Sequence, residues 1–199
     1  MNKKAKAILD KTITLLTTLG TVGVSMDEIS AYAGASKMTV YKYFSNKAQL
    51  FDAAGQTVLT QNIADLAGAV DSGKPLVERM YAFIGVSTDF VDNGSYHLSE
   101  SLAATSLRTK AAFANYVKKA ESLLRELIDE GFAEGYFKPG LDRQMVFDYL
   151  NMGIAHYQRN ATYRERMKSD TDYQNRMMTF LVSNIFLVDK AVYPKDRRS

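Results

Sequence analysis

Residues 37–43 read Lys-Met-Thr-Val-Tyr-Lys-Tyr, six side chains of binding chemistry around a single valine. An ammonium can meet guanine edges or a phosphate, Thr and Met methyl groups suit thymine methyls, and tyrosine hydroxyls suit phosphate oxygens. At 100° per residue, with Val40 centred on a buried face, Phe44 and Ser36 fall beside it. Met38 and Lys42 then point directly outward, Thr39 and Tyr41 flank them, and Lys37 and Tyr43 lie at the edges. A helix of about nine residues is roughly 14 Å long, short enough for one passage of a major groove.

The neighbouring residues are those needed to hold such a helix. Ser25 and Glu28 form the S-x-x-E pattern of a capping box, so a helix starts at Ser25 and runs to about Ala33. Gly34 makes the turn, Ser36 caps the second helix, and Asn46 caps the next. Ile29 and Ala33 give the first helix an inner face, and the small Ala33 allows a close crossing. Two short capped helices about a glycine turn are a helix-turn-helix. Lys47 and the amides behind Asn46 can take a phosphate. Ser25 fits two roles equally, a backbone-phosphate contact or a helix cap alone. An ordinary packed pair with a polar outer face is the plainer reading of both helices, but a core has no need of Tyr41, Lys42 and Tyr43 crowded outside.

The run AGASKMTVYKYFSNKAQLF resembles the DNA-binding region of TetR-like repressors, matching their pattern at Ala33, Gly34, Ser36, Lys37, Thr39, Tyr41, Tyr43, Phe44, Lys47 and Leu50. The resemblance covers about residues 8–55, with Ile8, Leu9 and Gly20 of the preceding helix also in place. It departs at Ala35, where Val is usual, and at Met38, where Gly is frequent. The resemblance implies that Lys37, Thr39, Tyr41, Tyr43 and Lys47 face double-stranded DNA. Lys42 and Met38 join them on the angular reading alone.

Charge agrees. Residues 1–50 hold seven lysines and three acids, a net +4, whereas the remainder carries 18 basic and 19 acidic residues, a net −1. A basic first quarter on a neutral body suits a nucleic-acid contact at one end, although a solvated lysine-rich face has the same composition. The absence of cysteine excludes disulfides, thiolate metal sites and cysteine nucleophiles and fits a reducing cytoplasm. Two isolated histidines, His97 and His156, make no transition-metal site. His97 is expected at the surface or just beneath it. No apolar run is long enough for a membrane helix, no signal peptide is visible, and no phosphate-binding glycine loop, H-E-x-x-H or nucleophile elbow occurs. No cofactor is expected, and binding rather than catalysis is the expected activity.

The chain reads as all-α, a three-helix head over 1–48 and a larger regulatory and dimerising helical bundle over 49–199. Helices are expected over about 3–19, 25–33, 36–44, 46–68, 76–91, 98–106, 110–131, 142–160 and 172–192. The last two are apolar almost all round, and such a helix must be covered on every side. A homodimer through Met145, Tyr149, Met152, His156, Met177, Leu181, Ile185 and Val188 would cover them and give two recognition helices a palindromic operator. The resemblance implies a four-helix dimer contact and an effector pocket in the middle helices. That pocket, for a small apolar or aromatic molecule, is placed among Phe83, Phe90, Tyr96, Glu100, Phe113, Asn115 and Tyr116. From spacing alone an aromatic stripe is more often core. Two rivals remain open, an activator with the same head and a helical protein-interaction module that has lost DNA binding.

Overall fold

The structure is a computed structural model that describes residues 1–187. Ten helices run in order among the described residues: α1 (Lys3–Leu19), α2 (Met26–Tyr32), α3 (Lys37–Tyr43), α4 (Lys47–Val70), α5 (Leu76–Asp92), α6 (Ser95–Thr105), α7 (Leu107–Ala133), α8 (Arg143–Arg159), α9 (Ala161–Ser169) and α10 (Thr171–Ile185). None of them is long and apolar enough to cross a membrane. They form two compact units, one of residues 1–64 with 89–119, the other of 65–88 with the described residues from 120 onward.

The first unit is built on the head. Ile8, Leu9, Leu15 and Leu16 of α1 close over Ile29 of α2 and Val40 of α3. Ile29 and Val40 are completely shielded, and burial of such a side chain contributes about 1.5–3 kcal/mol. Leu50 and Ala54 of α4 and Leu98 and Leu102 of α6 complete the same core. The compact unit therefore extends past residue 48, because the three-helix head leaves an apolar face that α4 and α6 cover.

Polar ties fix α4 in that unit. Asp52 Oδ1 accepts the Ser106 hydroxyl at 2.5 Å and the Thr109 hydroxyl at 2.8 Å. One turn on, Gly55 lets the helices approach closely, since a Cβ there would lie 2.9 Å from Thr109 Cγ2. The Thr21 and Ser101 hydroxyls lie 2.7 Å apart, joining the loop after α1 to α6.

In the second unit Arg79 is held by the carboxylate of Glu130 and donates to the Val70 carbonyl at 3.1 Å. The chain leaves α10 at Phe186, which forms an antiparallel bridge with Phe137. Lys138 N–H donates to the Ile185 carbonyl at 3.0 Å and Leu187 N–H to Tyr136 at 2.9 Å. The helix expected to reach residue 192 thus ends at Ile185, and the bridge accounts for the stop; residues 188–192 lie outside the described residues.

Helix α9 has no counterpart among the expected elements. It carries few apolar residues, so hydrophobic periodicity is silent there. Its caps are the usable signal: Asn160 Oδ1 accepts Tyr163 N–H at 2.9 Å, and Asp170 does the same for Tyr173 at the start of α10. Two cap residues ten positions apart mark a short helix between them.

Candidate nucleic-acid interface

The turn between α2 and α3 closes on Gly34, whose φ of +63° is a left-handed conformation that glycine adopts without strain. Gly34 N–H donates to Ala31 at 3.1 Å and Ala35 N–H to Ser30 at 3.0 Å, which ends α2 and re-aims the chain into α3. Ser36 Oγ accepts Thr39 N–H at 3.2 Å and so starts α3. Asn46 Oδ1 accepts Gln49 N–H at 2.8 Å, and Gln49 Oε1 accepts Ser45 N–H at 2.6 Å, so α4 begins at Lys47, three residues after Phe44 caps α3.

Side-chain exposure follows the angular order at Val40, Phe44, Met38 and Lys42, and departs from it at Ser36, which is exposed, and at Thr39, which is more buried than Lys37. Val40 and Phe44 are buried, Met38 is 84% exposed and Tyr41 42%. Lys37 and Lys42 are exposed, whereas Thr39 and Tyr43 are half-buried. Tyr43 packs against the head core. The Thr39 hydroxyl lies 2.8 Å from that of Ser36. Lys47 is half-buried with Nζ 5.0 Å from the Phe51 ring centroid.

Two acids modify this surface. Glu28 completes the capping box: its Oε2 accepts Ser25 N–H at 2.7 Å and the Ser25 hydroxyl at 2.8 Å, while Glu28 N–H donates to Ser25 Oγ at 3.2 Å. The backbone hydrogen bond from Ser25, then its hydroxyl, hold the Glu28 carboxyl below its ordinary range. Ser25 is thereby already engaged as a cap. Asp27 reaches Lys37, with Nζ 2.9 Å from Oδ1. That hydrogen bond, and then the charge of Asp27, raise the Lys37 pKa. Neither acid was assigned a part in the interface from sequence, yet spacing could have suggested both, because each lies in the first turn of α2.

Over residues 8–54 the chain matches the family described as bacterial regulatory proteins, tetR family. The match lies on the head. An HTH-type transcriptional regulator of Bacillus subtilis (strain 168), YhgD, is 22% identical over 76% of this chain and 81% of its own length. Among solved structures, the ketosteroid transcriptional regulator KstR2 of Mycobacterium tuberculosis superposes with a TM-score of 0.67 over 94% of this chain and 97% of the other, at 16% identity. AibR, solved in complex with isovaleryl coenzyme A and operator DNA, does so with a TM-score of 0.61 over 78% and 86%, at 24% identity. The chain has the all-α fold of TetR-family transcriptional regulators.

The residues expected to line one pocket are divided between the two units of this TetR-like chain. Phe90, Tyr96, Phe113 and Tyr116 pack on one another in the first unit, with centroids 5.4 Å apart for Phe90–Tyr116 and 5.9 Å for Tyr96–Phe113. They fill the space among themselves, as aromatic edges and faces do. Tyr116 donates to Asn62 Oδ1 at 2.9 Å, and burial, then Tyr96, push its phenol pKa well up. Phe83 is buried in the second unit. Glu100 and Asn115 are exposed, Glu100 facing the exposed His97 at 4.0 Å and Asn115 on a shallow outer groove with Tyr116 and Lys119. Charged and amide groups follow water, which the stripe of rings excludes.

An apolar cavity lies in the second unit. Helix α5 contributes Val77, Met80, Tyr81, Ile84 and Thr88, and α8 contributes Tyr149, Leu150, Gly153, Ile154 and Tyr157. Tyr163 and Met167 of α9 and Met178, Leu181, Val182 and Ile185 of α10, with Phe186, complete it.

That arrangement also corrects the surface assigned to a partner. Ile185 is 3% exposed and Leu181 half-buried on the cavity wall, so both face their own chain. Tyr149 faces the cavity as well, with its hydroxyl donating to the Leu181 carbonyl at 3.3 Å. An all-round apolar pattern cannot show which face turns inward. The apolar side chains left in solvent are Met145 and Met152 of α8 and Phe180 of α10, with exposed His156 one turn beyond Met152 and half-buried Met177 one turn before Phe180. Val188 lies outside the described residues.

Proposed function

We propose that this chain is a repressor. It acts in the cytoplasm, binds a palindromic operator as a homodimer, and releases it when a small apolar molecule occupies the second unit. The observation that carries the reading is α3 itself: Met38, Tyr41 and Lys42 stand out in solvent on a helix whose opposite side, Val40 and Phe44, is locked in a core. Rigid support and an exposed, cationic, hydrogen-bonding face are what groove recognition needs. We keep residues 1–48 as the DNA-contacting segment and the rest as regulatory and dimerising. The homodimer is supported by the exposed Met145, Met152 and Phe180, which stand on the outer faces of α8 and α10.

Effector control is supported by the cavity and by AibR, whose structure holds an acyl coenzyme A and operator DNA together. A ligand releases DNA only if it binds the non-binding arrangement better, and a hundredfold loss of affinity needs about 2.7 kcal/mol of such preference. The chain works by this linkage and not by turnover. An activator would share every contact and differ only in where its site lies.

The test is a titration of DNA from the region upstream of the chain's own gene. Affinity should fall about a thousandfold or more between about 50 and 200 mM salt. Weak, salt-insensitive binding to every duplex would instead identify a protein-interaction module.

A further inference from the structure

The cavity of the second unit measures about 70 Å³, and none of the described residues that line it carries a charge. Its hydroxyls are partly committed. Thr88 donates to the Gly85 carbonyl at 2.9 Å, and the Tyr149 oxygen accepts Asn184 Nδ2 at 3.3 Å besides donating to Leu181. An ion placed here would lose its water and gain no partner of opposite charge, which is costly.

One residue of the wall has no side chain. Gly153 lies inside α8, where glycine is less stable than alanine, and its φ is not among the positive ones. The backbone therefore does not require glycine. A Cβ built at Gly153 meets no atom within 4 Å, so the missing side chain leaves open space at the cavity wall.

We propose that the cavity takes an uncharged, apolar small molecule, and that Gly153 sets how far that molecule reaches toward α8. The proposal rests on the reading of this cavity as the effector site. The space is about half the ~150 Å³ of an engineered cavity that holds benzene. The ligand is therefore small, or it displaces Met80, Met167 and Met178, whose unbranched side chains repack readily.

The full-length protein, without DNA, is titrated by calorimetry with benzyl alcohol, benzoate and benzylammonium, which share a ring and differ in charge. Benzyl alcohol should bind, and each ion should bind about a hundredfold more weakly. Gly153→Leu should lose benzyl alcohol. Gly153→Ala should weaken it several-fold and melt higher than wild type. The proposal is overturned if benzyl alcohol does not bind, if the ions bind equally well, or if folded Gly153→Leu binds like wild type. Should Gly153→Leu not fold, the charge series and Gly153→Ala decide. DNA release is read separately. Discriminating binding that leaves DNA affinity unchanged refutes the effector reading alone, whereas release by all three probes equally refutes the uncharged-ligand inference alone.

Discussion

Lys37 Nζ lies 2.9 Å from Asp27 Oδ1, tying the first turn of α3 to the first turn of α2. Both side chains are at least half exposed, so the pair adds little stability. Its interest lies in competition: a phosphate that takes Lys37 must displace Asp27. The raised Lys37 pKa means that the pair's contribution is present below the ordinary lysine range and is lost as pH rises through the raised value. Lys37 therefore stays charged throughout the neutral range. Asp27→Asn should tighten DNA binding several-fold at low salt and steepen the salt dependence by up to about one counterion per chain. An unchanged slope would show that Lys37 does not touch phosphate.

Tyr41 and Lys42 are the most direct test of α3, because removing them leaves the core untouched. Tyr41→Ala with Lys42→Ala should abolish specific DNA binding, at about 1–3 kcal/mol for each contact to a base edge, while circular dichroism and melting stay as in wild type. Undiminished affinity in the folded double variant would refute α3 as the recognition helix.

The capping box makes the head sensitive to acid. Ser25→Ala should cost about 1 kcal/mol of stability, seen as a lower denaturant midpoint. The Glu28 carboxyl is held below the ordinary 4.5. Its contribution is therefore complete above that value and fades as pH falls through the lowered one. Glu28→Gln should flatten that acid limb of the stability curve. A melt with the same pH dependence in wild type and variant would exclude the box as its source.

Assembly is tested on the faces the structure leaves in solvent. Met152→Glu and Phe180→Glu, made separately, should each leave the fold intact, and at least one should sediment as a monomer with weak DNA affinity. Ile185→Ala should behave differently, losing about 2–5 kcal/mol of stability, because Ile185 is buried in its own chain. If wild type is itself a monomer at micromolar concentration, the homodimer reading fails.

By itself, the sequence determined whatever depends on near neighbours. Ser25, Ser36 and Asn46 cap their helices through bonds three residues ahead, and Gly34 turns the chain within one loop, so α2, α3 and the outward placing of Met38 and Lys42 were legible from spacing. Tertiary structure decided which side of an apolar helix turns inward. Leu181 and Ile185 face the cavity while Phe180, one residue away, stands in solvent, and only the placement of α5, α8 and α9 distinguishes them. The same holds for the cavity and the filled aromatic cluster. Phe90, Tyr96, Phe113 and Tyr116 have the composition of a pocket, but their rings meet, whereas the open space lies beside Gly153, a residue that offers no side chain for a pattern to detect. Periodicity reports that a surface is apolar; whether that surface meets another ring, a ligand or a second subunit depends on contacts between residues far apart in the chain.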